Sequence, residues 1–310
     1  MTAIQSPLLN KYNLKTVARN HDMHFTLNLS SGEYLDYHIL ARTAEESGWY
    51  GISTPDSLFA TKATASDYPY ADTDAIRAYI EASPFIEPMV AMTWLASATS
   101  KLHFYPAVMK VPVRQPLVLA KMYASLAVLS NNRVSIGAGL SPWREDFAYN
   151  GVDFDKRGKL MDECIAIIRG ATSGEWFEHH GENYDFGPIK MSPVPSRPIP
   201  ILIGGHAKAA LNRAARSGDG WIAANSDPEA LAVMIKQLNE LRAQHGTADR
   251  DDFQIHVTMP PSDDLDGYRR LGELGITHIY TAPFANPHAS IDVRLDDMKR
   301  FAEKVVQPLQ

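Results

Sequence analysis

From residue 21 onward, short apolar runs alternate with stretches in which apolar residues return every three or four positions. The first pattern suits buried strands, and the second suits helices with one covered face. Their regular alternation predicts βαβ units on a parallel sheet. Strands are expected at 23–29, 50–54, 102–108, 133–139, 199–203, 220–223, 253–259 and 277–281. Helices are expected at about 34–47, 87–98, 116–129, 155–169, 207–217, 228–243, 265–274 and 292–305. Eight such cycles predict a closed (β/α)8 TIM barrel of α/β class rather than an open sheet. Residues 21–310 are expected to form one domain, with residues 1–20 as an N-terminal arm.

Local signals agree with these boundaries. Pro116 and Pro228 suit the first turn of a helix, where a missing N–H costs nothing, and Asp227 suits an N-cap. Gly48, Gly170 and Gly218 stand where helices should stop. Two connections are too long for ordinary turns. One follows strand two, from residue 55 to 86, and is rich in Asp, Tyr, Thr and Pro. The other follows helix four, from 171 to 198, and includes a small hairpin around Gly181. Chain order puts the first at the C-terminal ends of the strands, where barrel enzymes carry their chemistry.

Within the fourth predicted strand, Val134 and Ile136 share one face, and Ser135, Gly137 and Gly139 share the other. The small inward face leaves room for a planar ligand or a close backbone approach, unless larger side chains from neighbouring strands fill it. Gly137-Ala138-Gly139 lacks the third glycine of a dinucleotide fingerprint. Pro106 cannot donate to a ladder, so either a bulge forms near Ala107-Val108 or the strand ends at Tyr105. Gly204-Gly205-His206 enters a helix and could present N–H groups to a phosphate, or simply make a tight turn. His256 alternates onto the polar face of its strand, where it could touch a ligand or be an ordinary buried histidine.

Charge and composition narrow the partners. The chain has 310 residues, 30 basic against 36 acidic, for a net charge of −6. That favours solubility and argues against nucleic acid or an anionic membrane surface as partner; a small-molecule substrate is the expected partner. The single cysteine, Cys164, excludes an internal disulfide, fits a cytoplasmic setting and reads as helix core. No apolar stretch is long enough for a membrane span. Eleven histidines show no metal-binding spacing; His179 and His180 are adjacent and expected to be solvated. Trp94, spaced with Val90 and Leu95, is expected in the core. No nucleophile elbow or P-loop occurs, which suits an enzyme whose cofactor carries the chemistry. A homodimer is compatible with the chain.

Several motifs, in order, resemble the luciferase-like oxidoreductases. They are Gln115-Pro116-Leu117-Val118-Leu119-Ala120-Lys121, then Leu129-Ser130-Asn131-Asn132-Arg133 with Gly137-Ala138-Gly139. Gly151-Val152-Asp153-Phe154-Asp155-Lys156-Arg157-Gly158 follows, then Pro200-Ile201-Leu202-Ile203-Gly204-Gly205 and Ala214-Ala215-Arg216-Ser217-Gly218-Asp219-Gly220-Trp221. The resemblance covers nearly everything after residue 20. It implies a luciferase-like barrel that holds the deazaflavin coenzyme F420, or alternatively FMN. It implies a bulge, often with a cis non-proline peptide, at Ala107-Val108, packed against the cofactor ring. Gly137 and Gly139 would lie near the ring, and Gly204, Gly205 and His206 would hold the cofactor phosphate.

The resemblance has departures. Deazaflavin sugar-phosphate dehydrogenases of the family place a catalytic histidine after strand two, where this chain has Asp56-Ser57, and a glutamate after strand four, where it has Leu140. No catalytic residue is therefore assigned. Asp56, Ser57, Tyr68, Tyr70, Trp143 and His256 are the expected substrate contacts. Lys110 and Arg114 could meet an acidic cofactor tail or form a solvated face. The leading expectation is a deazaflavin-dependent oxidoreductase that moves a hydride to or from a small organic substrate. The alternatives are an FMN-dependent monooxygenase and a non-catalytic flavin-binding barrel.

Overall fold

The computed structural model describes residues 23–30 and 32–310, so the expected arm at 1–20 lies outside the described residues. The strands are β1 (His24–Asn28), β2 (Gly51–Thr54), β3 (His103–Pro106), β4 (Met109–Lys110), β5 (Ile136–Gly139), β6 (Phe177–His180), β7 (Asp185–Ile189), β8 (Ile201–Gly204), β9 (Gly220–Ala223), β10 (Gln254–Thr258) and β11 (His278–Thr281). The α-helices are α1 (Tyr37–Glu46), α2 (Thr73–Ala82), α3 (Pro88–Ser97), α4 (Pro116–Leu129), α5 (Arg144–Ala148), α6 (Arg157–Ala171), α7 (Lys208–Ser217), α8 (Pro228–Gln244), α9 (Leu265–Glu273) and α10 (Ile291–Phe301). Among the described residues, no helix is long and apolar enough to cross a membrane.

The chain divides into two compact units, one of Met1–Ser53 with Leu202–Gln310 and the other of Thr54–Ile201. In the first, β2, β1, β11, β10, β9 and β8 lie side by side in that order. Each pair for which a register is defined is parallel, as at His24 opposite His278 and Leu202 opposite Gly220. Phe25, Leu27, Ile255, Val257 and Ile279 are buried apolar positions two apart on their strands, the period that puts side chains on one face. Cover comes from helices such as α8, capped by Asp227, whose carboxylate accepts the N–H groups of Glu229 and Ala230. Arg294 of α10 is buried and donates to Asp36.

In the second unit, β4 pairs in parallel with β5, and Phe104 makes an isolated parallel bridge to Val134. The strand expected at 133–139 therefore pairs regularly only from Ile136. Ahead of it, Asn131 and Asn132 take positive φ. The Arg133 guanidinium then donates to the carbonyls of Ala96, Thr99, Leu102 and Ser130, which ties this entry segment to the end of α3. Cys164 is buried, as expected of a helix-core residue.

Four expectations are corrected. The loop at 55–86 contains a regular helix, α2, started by the Asp72 carboxylate on the Ala75 N–H. Trp94 and Val90 are 39% and 61% exposed, while Met89, Met92, Leu95 and Ala96 face inward. This helix is apolar nearly all round, so spacing alone did not say which side was covered. His179 is half-buried against Glu163 at 3.4 Å rather than solvated, whereas its neighbour His180 is exposed beside Asp185. The last helix leaves α geometry after Phe301 and continues as a π turn, Ala302–Val306. The hairpin expected around Gly181 is present as the antiparallel pair β6 and β7.

Candidate functional site

The irregularity expected at Pro106 is where the second unit carries its most unusual backbone. The Ala107–Val108 peptide is cis. Phe104 faces Val134 and Met109 faces Ala138, so five steps along one strand match four along the other: one extra residue, a bulge. The Ala107 N–H is kept satisfied by the Thr54 carbonyl at 2.9 Å. Val108 points at Gly139, where a Cβ would meet Val108 Cγ2 at 2.2 Å. At Gly139, then, the room left by the small residue is filled by a neighbouring side chain.

Asp56 holds the chain just past the bulge. Its fully buried carboxylate accepts the Lys110 N–H at 2.7 Å and the Arg114 fork at 2.8 and 2.9 Å. Arg114 also reaches Glu87 Oε1 at 3.1 Å. Both Asp56 oxygens are engaged by protein donors, and Arg114 is neither a solvated face nor a free arm for a cofactor tail. The Ser57 hydroxyl turns to its own loop, toward the Phe59 carbonyl at 3.4 Å.

Lys110 is likewise paired. Its ammonium lies 2.6 Å from Asp146 Oδ2, with both side chains largely buried. The Ser141 hydroxyl donates to the same Asp146 oxygen, and the Trp143 N–H donates to Ser141 Oγ at 3.1 Å. Lys110 stands opposite Gly139 in the β4–β5 register, and Ser141 is two residues past it, which places both at the C-terminal ends of their strands. Sequence reading missed this triad as a unit. Its one visible signal was a lysine inside the apolar run Val108-Met109-Lys110-Val111.

The segment before α2 is fastened over these residues. Tyr68 stacks on Trp143 with centroids 5.7 Å apart and planes at 25°, and Tyr70 meets Tyr68 edge-on at 5.6 Å. Burial, then the neighbouring Tyr70, raises the Tyr68 phenol above its ordinary range. Three of the expected substrate contacts thus form one aromatic cluster. Glu145 was not foreseen: its carboxylate accepts the Thr64 hydroxyl at 3.0 Å and the Ala65 N–H at 2.9 Å. Burial works against the Glu145 charge, but the Ala65 N–H and the other donors outweigh it and hold the carboxyl below its usual range. Arg77 of α2 donates to the Thr61 and Lys62 carbonyls. A cavity of about 20 Å³ is lined by Phe59, Arg77, Trp143, Glu145 and Asp146, among others.

In the first unit, β8 runs out at Gly204, and Gly205 takes φ +117°, a conformation side chains rarely adopt. Its carbonyl accepts the Trp221 indole N–H at 2.8 Å. His206 Nε2 accepts the Ala224 N–H at 3.0 Å, and burial lowers the imidazole's affinity for a proton. No side chain caps the start of α7; the Ala207 carbonyl takes the Ala210 and Leu211 N–H groups, which leaves those of Lys208 and Ala209 at the helix start facing an anion's usual place. His256 sits elsewhere in this unit. It stacks on His278 at 4.0 Å and 10° and pairs with Gln254 at 2.9 Å. His278 and His24 open β11 and β1, and are themselves 4.8 Å apart. The stack therefore lies toward the N-terminal ends of β1 and β11.

Comparison with known proteins places this arrangement. The family model for luciferase-like monooxygenases matches residues 23–264. An uncharacterised protein of Mycobacterium tuberculosis is 40% identical over 289 residues, covering 92% of this chain and 99% of that one. An FMNH2-dependent dimethylsulfone monooxygenase of Pseudomonas fluorescens is 28% identical over 66% of this chain and 56% of its own. Among solved structures, the coenzyme F420 dependent tetrahydromethanopterin reductase of Methanopyrus kandleri superposes with a TM-score of 0.72 at 14% identity, over 93% of this chain and 100% of that one. That likeness shows the fold, the (β/α)8 barrel expected from the strand–helix rhythm and, by the motif resemblance, of the luciferase-like type. With the family model spanning most of its length and a 40% identical relative nearly all of it, the chain belongs to the luciferase-like monooxygenase family, and its sequence relatives include FMNH2- and F420-dependent enzymes.

Proposed function

We propose that the chain is a deazaflavin-dependent oxidoreductase that moves a hydride to or from a small organic substrate. The observation that carries this reading is the bulge at Ala107–Val108, with Val108 braced on Gly139. A branched apolar side chain presented from a fixed strand is a suitable rest for a planar ring, and the resemblance assigns the ring to this position. For the cofactor phosphate the reading uses Gly204, Gly205 and His206, supported by the positive φ of Gly205 and the uncapped start of α7. Such a cofactor, when bound, supplies an electron pair as a hydride at a ring carbon. The chain's own residues bind it, orient it and exclude water; Tyr68, Tyr70 and Trp143 are the side chains proposed to cover the substrate.

An FMN-dependent monooxygenase is the second reading, favoured by the 28% identical dimethylsulfone enzyme. The experiment is a titration of the protein with F420 and with FMN, followed by oxygen uptake with the reduced complexes. Tighter F420 binding without oxygen consumption is expected. Submicromolar FMN binding with weak F420 binding and substrate-coupled oxygen uptake would establish the monooxygenase instead.

A further inference from the structure

The reading above leaves the reaction site without an acid or base, since serine and leucine stand at the positions where related dehydrogenases carry a histidine and a glutamate. The charged side chains described above around the bulge differ in what they are bound to. Asp56 is consumed by the Lys110 N–H and the Arg114 fork. Glu87 receives Arg114 and caps α3 through the Met89 and Val90 N–H groups. Glu145 is held by Thr64 and Ala65, and Arg77 by the Thr61 and Lys62 carbonyls. The pair that remains is Lys110 with Asp146.

Its placement is specific. Lys110 stands opposite Gly139, and the Cβ direction of Gly139 meets Val108, so Lys110 and Val108 both neighbour Gly139. An ammonium has three N–H donors, and the 2.6 Å contact to Asp146 uses one of them. Asp146 itself lines a small cavity with Phe59, Thr61, Arg77 and Trp143. As a mere fastening of α5 the pair is a poor choice. Desolvation of two charges can exceed their attraction, and apolar side chains of similar volume would serve as well or better. A buried ion pair with a hydroxyl behind it, at the end of the strand that carries the bulge, is better explained by chemistry.

We infer that Lys110 Nζ is the proton donor of the reaction site, oriented by Asp146 and Ser141, and that the substrate presents it an oxygen on the reacting carbon. The inference rests on the cofactor-dependent reading above. In the reducing direction the carbonyl carbon accepts a hydride, its C–O π pair moves to oxygen, and that oxygen takes a proton from Lys110. The electron pair comes from the reduced deazaflavin or flavin, which is oxidised and releases its ring N–H proton to solvent. Lys110, left neutral beside Asp146, regains a proton from solvent. Oxidation of the alcohol runs the same steps backward.

Sulfite tests this without a known substrate. It adds through sulfur to the ring position that exchanges hydride, leaving a sulfonate where the substrate's oxygen would lie. The protein is loaded with whichever of F420 and FMN it binds, and sulfite is titrated by absorbance. The variants are Lys110→Met and, because that change strands a buried carboxylate, the double variant Lys110→Met/Asp146→Leu. Wild type should bind sulfite more tightly than the free cofactor does, and each variant should lose at least tenfold in sulfite affinity while cofactor affinity changes less than threefold. Wild type no tighter than free cofactor, or a folded variant within twofold of wild type, overturns the inference. Wild type that binds neither cofactor overturns the underlying reading instead, and the inference with it.

Discussion

Val108 occupies the space that Gly139 leaves by having no side chain: a Cβ on Gly139 would lie 2.2 Å from Val108 Cγ2. The contact ties the residue after the cis peptide to the neighbouring strand, so the bulge and the glycine depend on each other. Overpacking of this kind costs about 1–3 kcal/mol. Gly139→Ala should lower stability by that amount in denaturant unfolding. Val108→Ala in the same chain should recover much of the loss, giving a coupling of about 0.5–3 kcal/mol. Additive effects of the two substitutions would show that the residues do not meet.

Glu145 is the polar fastening of the segment before α2, through Thr64 and Ala65. Removing its carboxylate should free the backbone around Lys62, a trypsin site. Glu145→Ala should be cut after Lys62 several-fold faster than wild type at pH 7, with little change in the unfolding midpoint. The pH dependence follows from the lowered carboxyl. Its folded value lies below the ordinary one near 4.5, so the fastening is complete above that and is lost as pH falls through the folded value. Wild-type protection of Lys62 should therefore persist at pH 5. Equal cleavage of wild type and variant at pH 7 would rule out this role.

How far the sequence could be read depends on what each feature rests on. Helices with a capping residue and a clear apolar stripe, such as Pro228–Gln244, were legible nearly to the residue because every signal is local. The bulge was legible as a conflict, a proline inside a strand of a barrel that has no edge. Trp94 was misplaced because a helix apolar on all sides does not say which side is covered. The Lys110–Asp146–Ser141 triad and the Glu145 fastening were out of reach for another reason. Each joins segments tens of residues apart through side chains that look ordinary in sequence, and only the fold brings them together.

The Gly205 loop makes a separable prediction about backbone and charge. At φ +117° a side chain is strained whatever its chemistry, so Gly205→Ala should cost about 1–3 kcal/mol of stability. Gly205→Asp adds a negative charge at the proposed phosphate contact. It should weaken binding of F420 or FMN more than tenfold beyond the alanine variant, which is at least about 1.4 kcal/mol. Isothermal titration of both variants decides it. Equal affinities for alanine and aspartate would remove this loop from phosphate binding.

His206 links the same loop to pH. Burial favours its neutral ring, and Nε2 must be unprotonated to accept the Ala224 N–H, so its folded value lies below the ordinary 6.5. Above about 6.5 the ring is neutral in both folded and unfolded chains, and its contribution to stability is complete. As pH falls below that, the unfolded chain binds the proton first, and the contribution is lost as pH drops through the folded value. His206→Gln keeps an acceptor for the Ala224 N–H but does not titrate. The melting-temperature difference between wild type and this variant should therefore be constant from pH 7 to 8 and shift against wild type as pH falls toward 5. Ring carbon NMR gives the direct measurement, with a His206 midpoint expected below 6.5. A midpoint at or above 6.5 would mean that the ring is protonated near neutrality, could not accept the Ala224 N–H in that state, and would instead offer a positive charge to a bound phosphate.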